Sequence, residues 1–528
     1  MTLRFTISIF LTLAASLVLF SHCSSLYDNE GDGHFQPTDE QRLTRALDGI
    51  DTLGLNENSL EHILSFYEQR NYKTVWVKDS NFVEYHFAEY VNQDVKLNIP
   101  SNTLNTKPFR NAYTPYQKEI VTIARLSEFL DIQTKGLINF KDCTINDHNF
   151  ITHDNLEKFL NSYNPNRNWI VHLLSFGHKN DQIPLFHRSL NDFTDRYPLN
   201  DKVIEVNEKD SINSTSNKIA QNLKEKGFLK DITVSKDSLT KVFQSFQYMN
   251  GLKPDGILGS NSLKALQQTN LQRFHKGIIA LEKLRSIPDS LISSKYIEVN
   301  IPSFLLHFYN ADTIVVTHKI IAGANSTQTP EFVAPIKYIV VKPYWHVPYS
   351  IASTEILYGA RKDSNYFAKK NYILTKKDSV ISPDSIDWNT INTNNFPYSV
   401  KQSYGNSNSL GLIKFLFPNK HAIYIHDTPS KHLFLREERN YSHGCIRVEK
   451  PFDLAKNILK LEDHTHVDSL DTLVQRDKET FLNVNDNFLI HIRYKTATID
   501  DSTRQIRFHN DVYGREEKYM KLFESNLP

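Results

Sequence analysis

The front half of the chain is dominated by a helical pattern of apolar positions. From about residue 38, apolar side chains recur mostly at three- and four-residue intervals, the spacing of one face of an α-helix. These positions are Leu43, Leu47, Ile50, Leu53, Leu60, Ile63, Leu64 and Phe66. Amphipathic pieces follow at 119–131 and 154–161, in a region rich in Asn, Asp, Tyr and Lys that carries no recognisable chemistry. The pattern predicts a helical scaffold domain over 38–205.

The pattern changes to a period of two after about residue 296, which is typical of β-strands. The predicted strands are 296–301, 304–308, 314–317, 338–341, 422–425, 488–494 and 506–509, with 304–308 and 314–317 forming a hairpin. A long polar insert at about 350–408 begins with a predicted helix at 354–358, and so long an excursion favours a functional lid. We therefore expect a multidomain α+β chain with a mainly β back half.

Residues 206–270 carry a small helical pattern of their own. The stretch reads Phe243-Gln244-Ser245-Phe246-Gln247, then Asp255-Gly256-Ile257-Leu258-Gly259 and Ser262-Leu263-Lys264-Ala265-Leu266. Gly256 supplies the backbone freedom that a tight connection needs. The string resembles a three-helix peptidoglycan-binding module, with Ser262 in place of the usual Thr. The resemblance implies a peptidoglycan-binding-like domain that could bind glycan or serve structurally, followed by a linking helix within 271–295.

The first residues are typical of an export signal. Arg4 precedes an apolar run at 5–20, which is short for a membrane span and suits a signal-peptide core. We predict a signal peptide at 1–23 and a location in the periplasm or cell envelope. Cys23 lies where a lipoprotein signal places its acylated cysteine, although the residues before it fit such a site poorly; a membrane tether through acylated Cys23 therefore stays open.

Charge and cysteine content narrow the function. The chain has 61 basic and 60 acidic residues, a formal net charge of +1, which disfavours a nucleic-acid partner. Apart from Cys23, only Cys143 and Cys445 are present, too few and too far apart for a disulfide framework. An unpaired cysteine in an exported protein favours a chemical role.

Candidate chemistry concentrates in two segments, Tyr424-Ile425-His426-Asp427-Thr428-Pro429 and Tyr441-Ser442-His443-Gly444-Cys445-Ile446-Arg447-Val448. A thiol attacks as thiolate, so Cys445 needs a nearby base, and His426 at a strand end could take its proton. Arg447 could pair with a carboxylate, and amides near Gly444 could form an oxyanion hole.

A helix predicted to start near Pro451 would place Cys445 in a loop before a helix N-terminus, where the dipole favours an anion. The competing interpretation is a zinc site built from His421, His426, His432, His443 and Cys445, but their spacing fits no familiar zinc pattern. We expect neither a metal nor a cofactor.

The histidine segment followed by Ser-His-Gly-Cys-Ile-Arg at 442–447 resembles the active-site signature of the YkuD-type L,D-transpeptidases. The wider resemblance, to large multidomain Gram-negative members, covers 66–77, 296–302, 342–348, 411–415 and 417–419. His346 stands where these relatives commonly carry Asn. The resemblance implies a mainly β catalytic domain over 296–515, with a capping insert at about 350–408.

The resemblance also implies roles for individual residues. Cys445 would be the nucleophile and His426 its proton donor and acceptor. The residues implied near substrate are His443, Gly444, Arg447, Ser442, Tyr424 and Trp345. Family members attack the bond between diaminopimelate and D-Ala in a tetrapeptide stem, release D-Ala, and pass the thioester to the amine of a second stem, giving a 3→3 crosslink. Carbapenems acylate the same thiol in the family.

Three alternatives to crosslinking stay open. Water could resolve the thioester, which would make the protein an L,D-carboxypeptidase. An envelope protein could be the group attached to the wall. A non-catalytic peptidoglycan-binding scaffold could retain the fold, although such a scaffold would have no need of His426, His443 and Cys445 together.

Overall fold

The computed structural model describes residues 37–47, 55, 57–101, 103–146, 151–210, 217–311, 313–485 and 488–524. The predicted signal peptide and Cys23 lie outside the described residues. Within the described ranges, no helix is both long enough and apolar enough to cross a bilayer.

The front of the chain folds into helices around one apolar core. The helices are α1 (Asp39–Leu47), α2 (Glu57–Gln69), α3 (Tyr85–Val91), α4 (Asp94–Leu97), α5 (Pro115–Lys135), α6 (His153–Ser162), α7 (Trp169–Ser175) and α8 (Gln182–Arg196). Two short hairpins interrupt them, β1 (Val77–Lys78) with β2 (Asn81–Phe82) and β3 (Ile138–Asn139) with β4 (Thr144–Ile145). The helical pattern read from residue 38 onward is confirmed by α1 and α2.

Helix α5 is the centre of this unit and confirms the helix predicted over 119–131, but it is buried on all sides and is therefore not amphipathic. Its polar side chains are buried and hydrogen-bonded instead. Glu119 accepts from two backbone N–H groups of the segment before β1, at 2.5 and 2.8 Å. Arg125 pairs with Asp94 and donates to two backbone carbonyls. Buried polar groups need such partners, because an unsatisfied one costs about 1–3 kcal/mol.

The 206–270 region forms three helices around a core of its own: α9 (Lys218–Glu225), α10 (Lys236–Met249) and α11 (Ser260–Gln267). Gln247 joins α10 to the turn that follows it. The side-chain NH2 of Gln247 donates to Asp255 Oδ1 at 3.1 Å and to Ser262 Oγ at 3.1 Å. Its side-chain oxygen, Oε1, accepts from the Gly256 N–H at 2.8 Å. Gly256 has φ +77°, a left-handed conformation that uses the backbone freedom expected of a glycine in this turn. Ser262 supplies the hydroxyl that a Thr would supply.

The linking helix predicted within 271–295 is α12 (Asn270–Arg285), which starts with a capping box at Thr269 and is almost wholly buried. A 3-10 turn, Asp289–Leu291, follows it. Helix α12 packs on α8 and belongs to the apolar core of the helical front unit.

The back half is built on strands. They are β5 (Lys295–Asn300), β6 (Leu305–Asn310), β7 (Thr313–Gly323), β8 (Phe332–Pro335), β9 (Tyr338–Val341), β10 (Trp345–His346), β11 (Tyr372–Lys376), β12 (Ser379–Ile381), β13 (Ser399–Gln402), β14 (Ile413–Leu416), β15 (Ile425–His426), β16 (Asn440–Ser442), β17 (Ile446–Val448), β18 (Thr480–Asn483) and β19 (Leu489–Arg493). The hairpin predicted from 304–308 and 314–317 is confirmed by β6 and β7.

Eleven of these strands form one sheet in the order β18-β9-β14-β15-β17-β7-β6-β5-β19-β8, with β16 pairing β7. The pairs β15–β17, β16–β7 and β19–β5 are parallel, and the others are antiparallel. Helix α16 (Pro451–Leu461) and helix α17 (Leu470–Gln475) bury apolar side chains in the core of this sheet. Helices α13 to α15 belong to the insert described next.

The predicted capping insert has its own sheet, in the order β10-β13-β11-β12, and its own apolar core. Its helical part comprises α13 (Tyr349–Ile351), a π-helical turn (Ala352–Ile356), α14 (Leu357–Lys362) and α15 (Tyr366–Lys369), followed by 3-10 turns at Pro383–Ser385 and Trp388–Thr390. The helix predicted at 354–358 therefore spans the junction of the π-turn and α14.

The strand predicted at 422–425 is wrong over most of its length, because only Ile425 of that range is in β15. Ala422 has φ +54°, which a strand does not allow. Asn419 holds this segment in a loop: its side chain donates to the carbonyls of Phe417 and Ile423 and accepts from backbone N–H groups of His421 and Ile423.

After the sheet, the chain returns to the helical front unit. Strands β20 (Ala497–Ile499) and β21 (Ile506–Phe508) form a hairpin, and α18 (Glu517–Glu524) follows. Both contribute side chains to the core around α12. The structure is thus a multidomain α+β fold, with a helical front region and a mainly β sheet domain. The domain limits drawn from the sequence stay predictions.

We expect Gln247→Ala to destabilise the 206–270 module by about 2–3 kcal/mol, since it leaves several buried hydrogen-bond partners unsatisfied. Hydrogen exchange across α10 and α11 measures the loss as faster exchange confined to this module. Ser245→Ala, on the exposed side of the same helix, is the control. Equal exchange in both variants would contradict the role given to Gln247.

Candidate active site

The parallel pairing of β15 with β17 puts the candidate site on one face of the sheet. Ile425 pairs with Ile446 and His426 with Arg447. Side chains alternate along a strand, so Ile425 and Ile446 point into the core while His426 and Arg447 share the opposite face. Cys445, one residue before Ile446, shares that face and lies beside Tyr424, whose carbonyl accepts from the Ile446 N–H at 3.1 Å.

The Cys445 thiol is half-buried and hydrogen-bonded. Its Sγ lies 3.8 Å from the carbonyl oxygen of Ala422, and both the backbone N–H and the hydroxyl of Tyr424 donate toward the sulfur. Burial raises the pKa of the Cys445 thiol, while the Tyr424 hydrogen bonds and the nearby Arg447 guanidinium oppose that rise. At neutral pH the resting group is therefore the thiol.

The helix-dipole argument for Cys445 is wrong. Strand β17 separates the cysteine from α16, which begins at Pro451 as predicted, with proline in its first turn. A helix dipole acts within its first turn, so it does not reach the sulfur across an intervening strand. The stabilising groups for a thiolate are Tyr424 and Arg447 instead.

His426 is 5% exposed and is held as a neutral base. Its Nδ1 lies 2.5 Å from the carbonyl oxygen of Asp427, and because a carbonyl can only accept, Nδ1 carries the proton and Nε2 keeps its lone pair. Burial, with the positive charge of Arg447, lowers the pKa of His426 to about 3. Its ring centroid lies 5.6 Å from that of Tyr424, the residue that also contacts Cys445.

Asp427 received no role from the sequence, yet it fixes the end of β15. One carboxylate oxygen accepts from the Lys431 ammonium at 2.5 Å, and the other accepts from the backbone N–H of Leu412 at 3.0 Å. Gly411, at φ +61°, is needed because a Cβ there would lie 2.3 Å from the Asp427 carboxylate. Asp427 thereby sets the direction of the carbonyl that holds His426.

Arg447 has an unused donor. It is partly buried, and within the part of the chain that the structure describes its Nε has no hydrogen-bond partner. Buried donors are normally paired, so an orphaned one at a candidate site suits an anionic ligand. A guanidinium is well matched to a carboxylate, which it can bind with two parallel hydrogen bonds.

Ser442 and Gly444 shape the loop that carries Cys445. Ser442 is 3% exposed; its hydroxyl donates to the Cys445 carbonyl at 2.5 Å and accepts from the Gly444 N–H at 3.1 Å. The structure places Ser442 inside the loop, where it has no surface to offer a substrate. Because the Gly444 N–H is occupied, the Cys445 N–H is the amide of this pair that is left for an oxyanion.

Thr329, which the sequence did not single out, supports this loop from the neighbouring segment. Its buried hydroxyl donates to the Gly444 carbonyl at 2.8 Å and accepts from the Gly323 N–H at 2.9 Å. The Tyr513 hydroxyl donates to the Gly323 carbonyl at 2.6 Å, so the chain's last part also braces the site. A Cβ on Gly323 would lie 2.1 Å from the Thr327 carbonyl oxygen, which explains the glycine there.

Trp345 lies beside Tyr424, which contacts the thiol; that the two line a substrate pocket stays a prediction. The side chain of Trp345 donates a hydrogen bond to the Tyr424 hydroxyl. The Trp345 ring lies 6.5 Å from that of Tyr372 in β11, so these aromatic contacts continue into the capping insert.

His443 is half-exposed and points to the insert. Its Nε2 lies 2.6 Å from Oε1 of Glu355, in the π-helical turn. No sequence pattern connects these residues, which lie 88 positions apart. Glu355 is therefore a site residue that sequence reasoning missed.

The structure separates the histidines of the zinc interpretation. His421 packs its ring on Phe332, His426 is buried against Asp427, and His443 pairs with Glu355. Among the described residues, no three His, Cys, Asp or Glu side chains are grouped so as to hold a metal ion.

We predict that alkylation of Cys445 by iodoacetamide will accelerate roughly tenfold per pH unit from pH 6 to beyond the ordinary thiol range. The raised thiol pKa keeps the thiolate scarce, and the lowered pKa of His426 means that no imidazolium forms to pair with it. Mass analysis of the Cys445 peptide, in a Cys143→Ala background, gives the rate. A plateau between pH 5 and 8 would instead indicate a preformed thiolate–imidazolium pair.

Comparison with known proteins finds similarity to L,D-transpeptidases. Residues 294–475 match the family model of the YkuD L,D-transpeptidase catalytic domain. A Haemophilus influenzae protein that is provisionally named an L,D-transpeptidase is 36% identical over 246 residues, which cover 46% of this chain and 48% of the relative. The chain therefore matches about half the length of this curated relative.

Two solved structures are similar at a greater distance. An L,D-transpeptidase structure from Xylanimonas cellulosilytica is 12% identical, with a TM-score of 0.17, and the match covers 56% of this chain and 98% of that one. A cysteine-to-serine mutant of an Enterococcus faecium L,D-transpeptidase is 10% identical, with a TM-score of 0.17, over 66% of this chain and 92% of that one. Residues 294–475 are thus similar to the catalytic domain of the YkuD L,D-transpeptidase family, whose members are acyltransferases.

Proposed function

We propose that this protein crosslinks peptidoglycan by acyl transfer through Cys445, joining the third residues of two stem peptides. The observation that carries the proposal is the shared face of β15 and β17. It presents a hydrogen-bonded thiol at Cys445, a neutral base at His426 and, at Arg447, a guanidinium whose Nε has no hydrogen-bond partner among the described residues. These are the groups that a cysteine acyltransferase with an anionic peptide substrate needs.

In the first half-reaction, Nε2 of His426 takes the thiol proton as Cys445 Sγ attacks the carbonyl of diaminopimelate in a tetrapeptide stem. The C–S bond forms, the Cys445 N–H faces the oxyanion, and Tyr424 stabilises the sulfur's developing charge. His426 then returns the proton to the leaving nitrogen as the C–N bond breaks, and D-Ala departs. Arg447 pairs with a carboxylate of the stem.

In the second half-reaction, the side-chain amine of another stem attacks the thioester and releases Cys445. Water at the same step would make the enzyme an L,D-carboxypeptidase, which is the second candidate. The capping insert favours the crosslink, since it contributes Tyr372 beside Trp345, and such an aromatic wall near the site would help to exclude water.

A groove between the 206–270 module and the sheet domain supports glycan binding as part of this proposal. Two adjoining cavities, of about 410 and 480 Å³, lie between them. Side-chain amides from both walls line the groove, namely Asn261, Gln268, Asn325, Asn440 and Asn510. Amides both donate and accept, which suits sugar hydroxyls and acetamido groups. Asn440 belongs to β16, directly before the loop that carries Cys445.

The groove has fixed walls. The backbone N–H of Lys253 donates to Glu437 at 3.0 Å. The Tyr248 hydroxyl donates to Asp500 at 2.5 Å, and the Tyr248 backbone carbonyl accepts from the Arg507 guanidinium. A glycan strand held there would bring its stem peptides to the thiol without a domain movement. We place the reaction in the periplasm or cell envelope, on the strength of the apolar run at 5–20 and with Cys23 as the candidate lipid anchor.

Intact mass after incubation with a carbapenem tests the proposed chemistry. We expect one adduct on the wild-type protein, none on Cys445→Ala, and formation slowed roughly 10²- to 10⁴-fold in His426→Ala, because the base is lost. Cys445→Ala should remain folded, since the residue lies in a loop. If the folded, reduced wild-type protein gave no adduct, a non-catalytic scaffold would be the better interpretation.

Sedimentation with purified peptidoglycan tests the groove. The double variant Asn261→Ala/Asn325→Ala removes one amide from each wall and should lower the bound fraction severalfold, while carbapenem acylation stays unchanged. Asn394→Ala, an exposed amide in the insert, is the matched control. Wild-type binding by the double variant would show that glycan does not occupy this groove.

A further inference from the structure

The contact between Glu355 and His443 joins the capping insert to the motif loop. The carboxylate oxygen lies 2.6 Å from the imidazole Nε2, and both side chains are about half-exposed. An ion pair this open to solvent adds little stability. The ion pair therefore acts on the imidazole of His443 rather than on the stability of the fold.

The carboxylate fixes the tautomer of His443. Because an ionised carboxylate can only accept, Nε2 of His443 carries the proton when it faces Glu355. In the neutral imidazole, the lone pair is then on Nδ1. Carboxylates orient imidazoles in this way in other proton-handling and metal sites.

The pair adjoins the loop that carries the thiol, because His443 is two residues before Cys445. The negative charge of Glu355 contributes to raising the pKa of Tyr366 and of Tyr372, after burial, which places the carboxylate beside that aromatic wall. Tyr372 adjoins Trp345, and Trp345 is hydrogen-bonded to the residue that contacts Cys445. Glu355 is thus an acidic group on the wall that leads to the nucleophile.

The two histidines of the site have different environments. His426 is enclosed and faces the cation of Arg447, whereas His443 is open and faces an anion. A positively charged group approaching Cys445 is repelled by Arg447 on the side of His426 and attracted by Glu355 on the side of His443. Resting on the proposed function, we propose that Glu355 positions His443 to accept a proton from a primary ammonium acceptor, so that an amine rather than water resolves the acyl-enzyme.

The step balances as follows in atoms and charge. The acceptor ammonium gives one proton to Nδ1 of His443, and the freed amine forms the C–N bond with the thioester carbonyl. The C–S bond breaks with its electron pair going to Cys445 Sγ, and the second proton on nitrogen passes through His426 to the sulfur. His443 returns its proton to solvent. Glu355 is a positioning residue, and it takes no part in the first half-reaction.

The test separates the two half-reactions in the full-length protein. The first is the carbapenem acylation rate by intact mass; the second is the ratio of 3→3 dimer to hydrolysed tripeptide formed from purified disaccharide-tetrapeptide. We expect Glu355→Gln to leave acylation within about twofold while dimer formation falls roughly ten- to a hundredfold. Glu355→Asp should recover part of the loss. Asp384→Asn, exposed in the same insert, should change neither rate.

A double-mutant cycle measures the coupling between Glu355 and His443. If Glu355 acts through His443, Glu355→Gln adds no further loss of dimer in a His443→Gln background. Unchanged dimer formation in Glu355→Gln, or an equal fall in acylation and dimer formation, would overturn the inference and leave the proposed function standing. A wild-type protein that is never acylated would instead overturn the proposed function.

Discussion

The parallel alignment of β15 with β17 is the constraint on which the rest of the site depends. It sets Tyr424 beside Cys445 and His426 beside Arg447, and it sends the apolar side chains between them into the core. A shift of one residue would exchange the two faces and bury the reactive groups. Since parallel neighbours need a crossover connection, the chain between them must leave the sheet and return. That connection carries Asp427 at its start and the cysteine loop at its end.

The strand register positions Cys445 only if the cysteine loop is held in place. Distant parts of the chain hold this loop. Thr329 holds the Gly444 carbonyl, and Tyr513 in turn holds the segment around Gly323. Tyr513 lies between the β20–β21 hairpin and α18, and both of these elements pack in the core of the helical front unit. The helical region and the site are therefore mechanically connected, which gives the front half a structural role in addition to any role in binding.

Local signals made much of this fold predictable, and non-local contacts account for what was missed. The period-two pattern located β6 and β7, and Pro451 located the start of α16, because both depend on neighbouring residues alone. The predicted strand at 422–425 failed because side-chain bonds from Asn419 override propensity. Helix α5 looked amphipathic because its buried polar groups find partners far along the chain. The pairing of Glu355 with His443 has no local signal at all.

His426 and His443 have opposite electrostatic surroundings, which favours a separate role for each of them. A buried neutral imidazole cannot stabilise a thiolate by charge, so in the proposed reaction the thiol loses its proton only as it attacks. The amine acceptor of the proposed crosslinking reaction would meet the opposite problem, because an amine is protonated at neutral pH and must become neutral before it can attack. One imidazole in one environment would serve these two demands poorly. Two imidazoles, one enclosed with a cation and one exposed with an anion, can meet both without either changing its surroundings during the cycle.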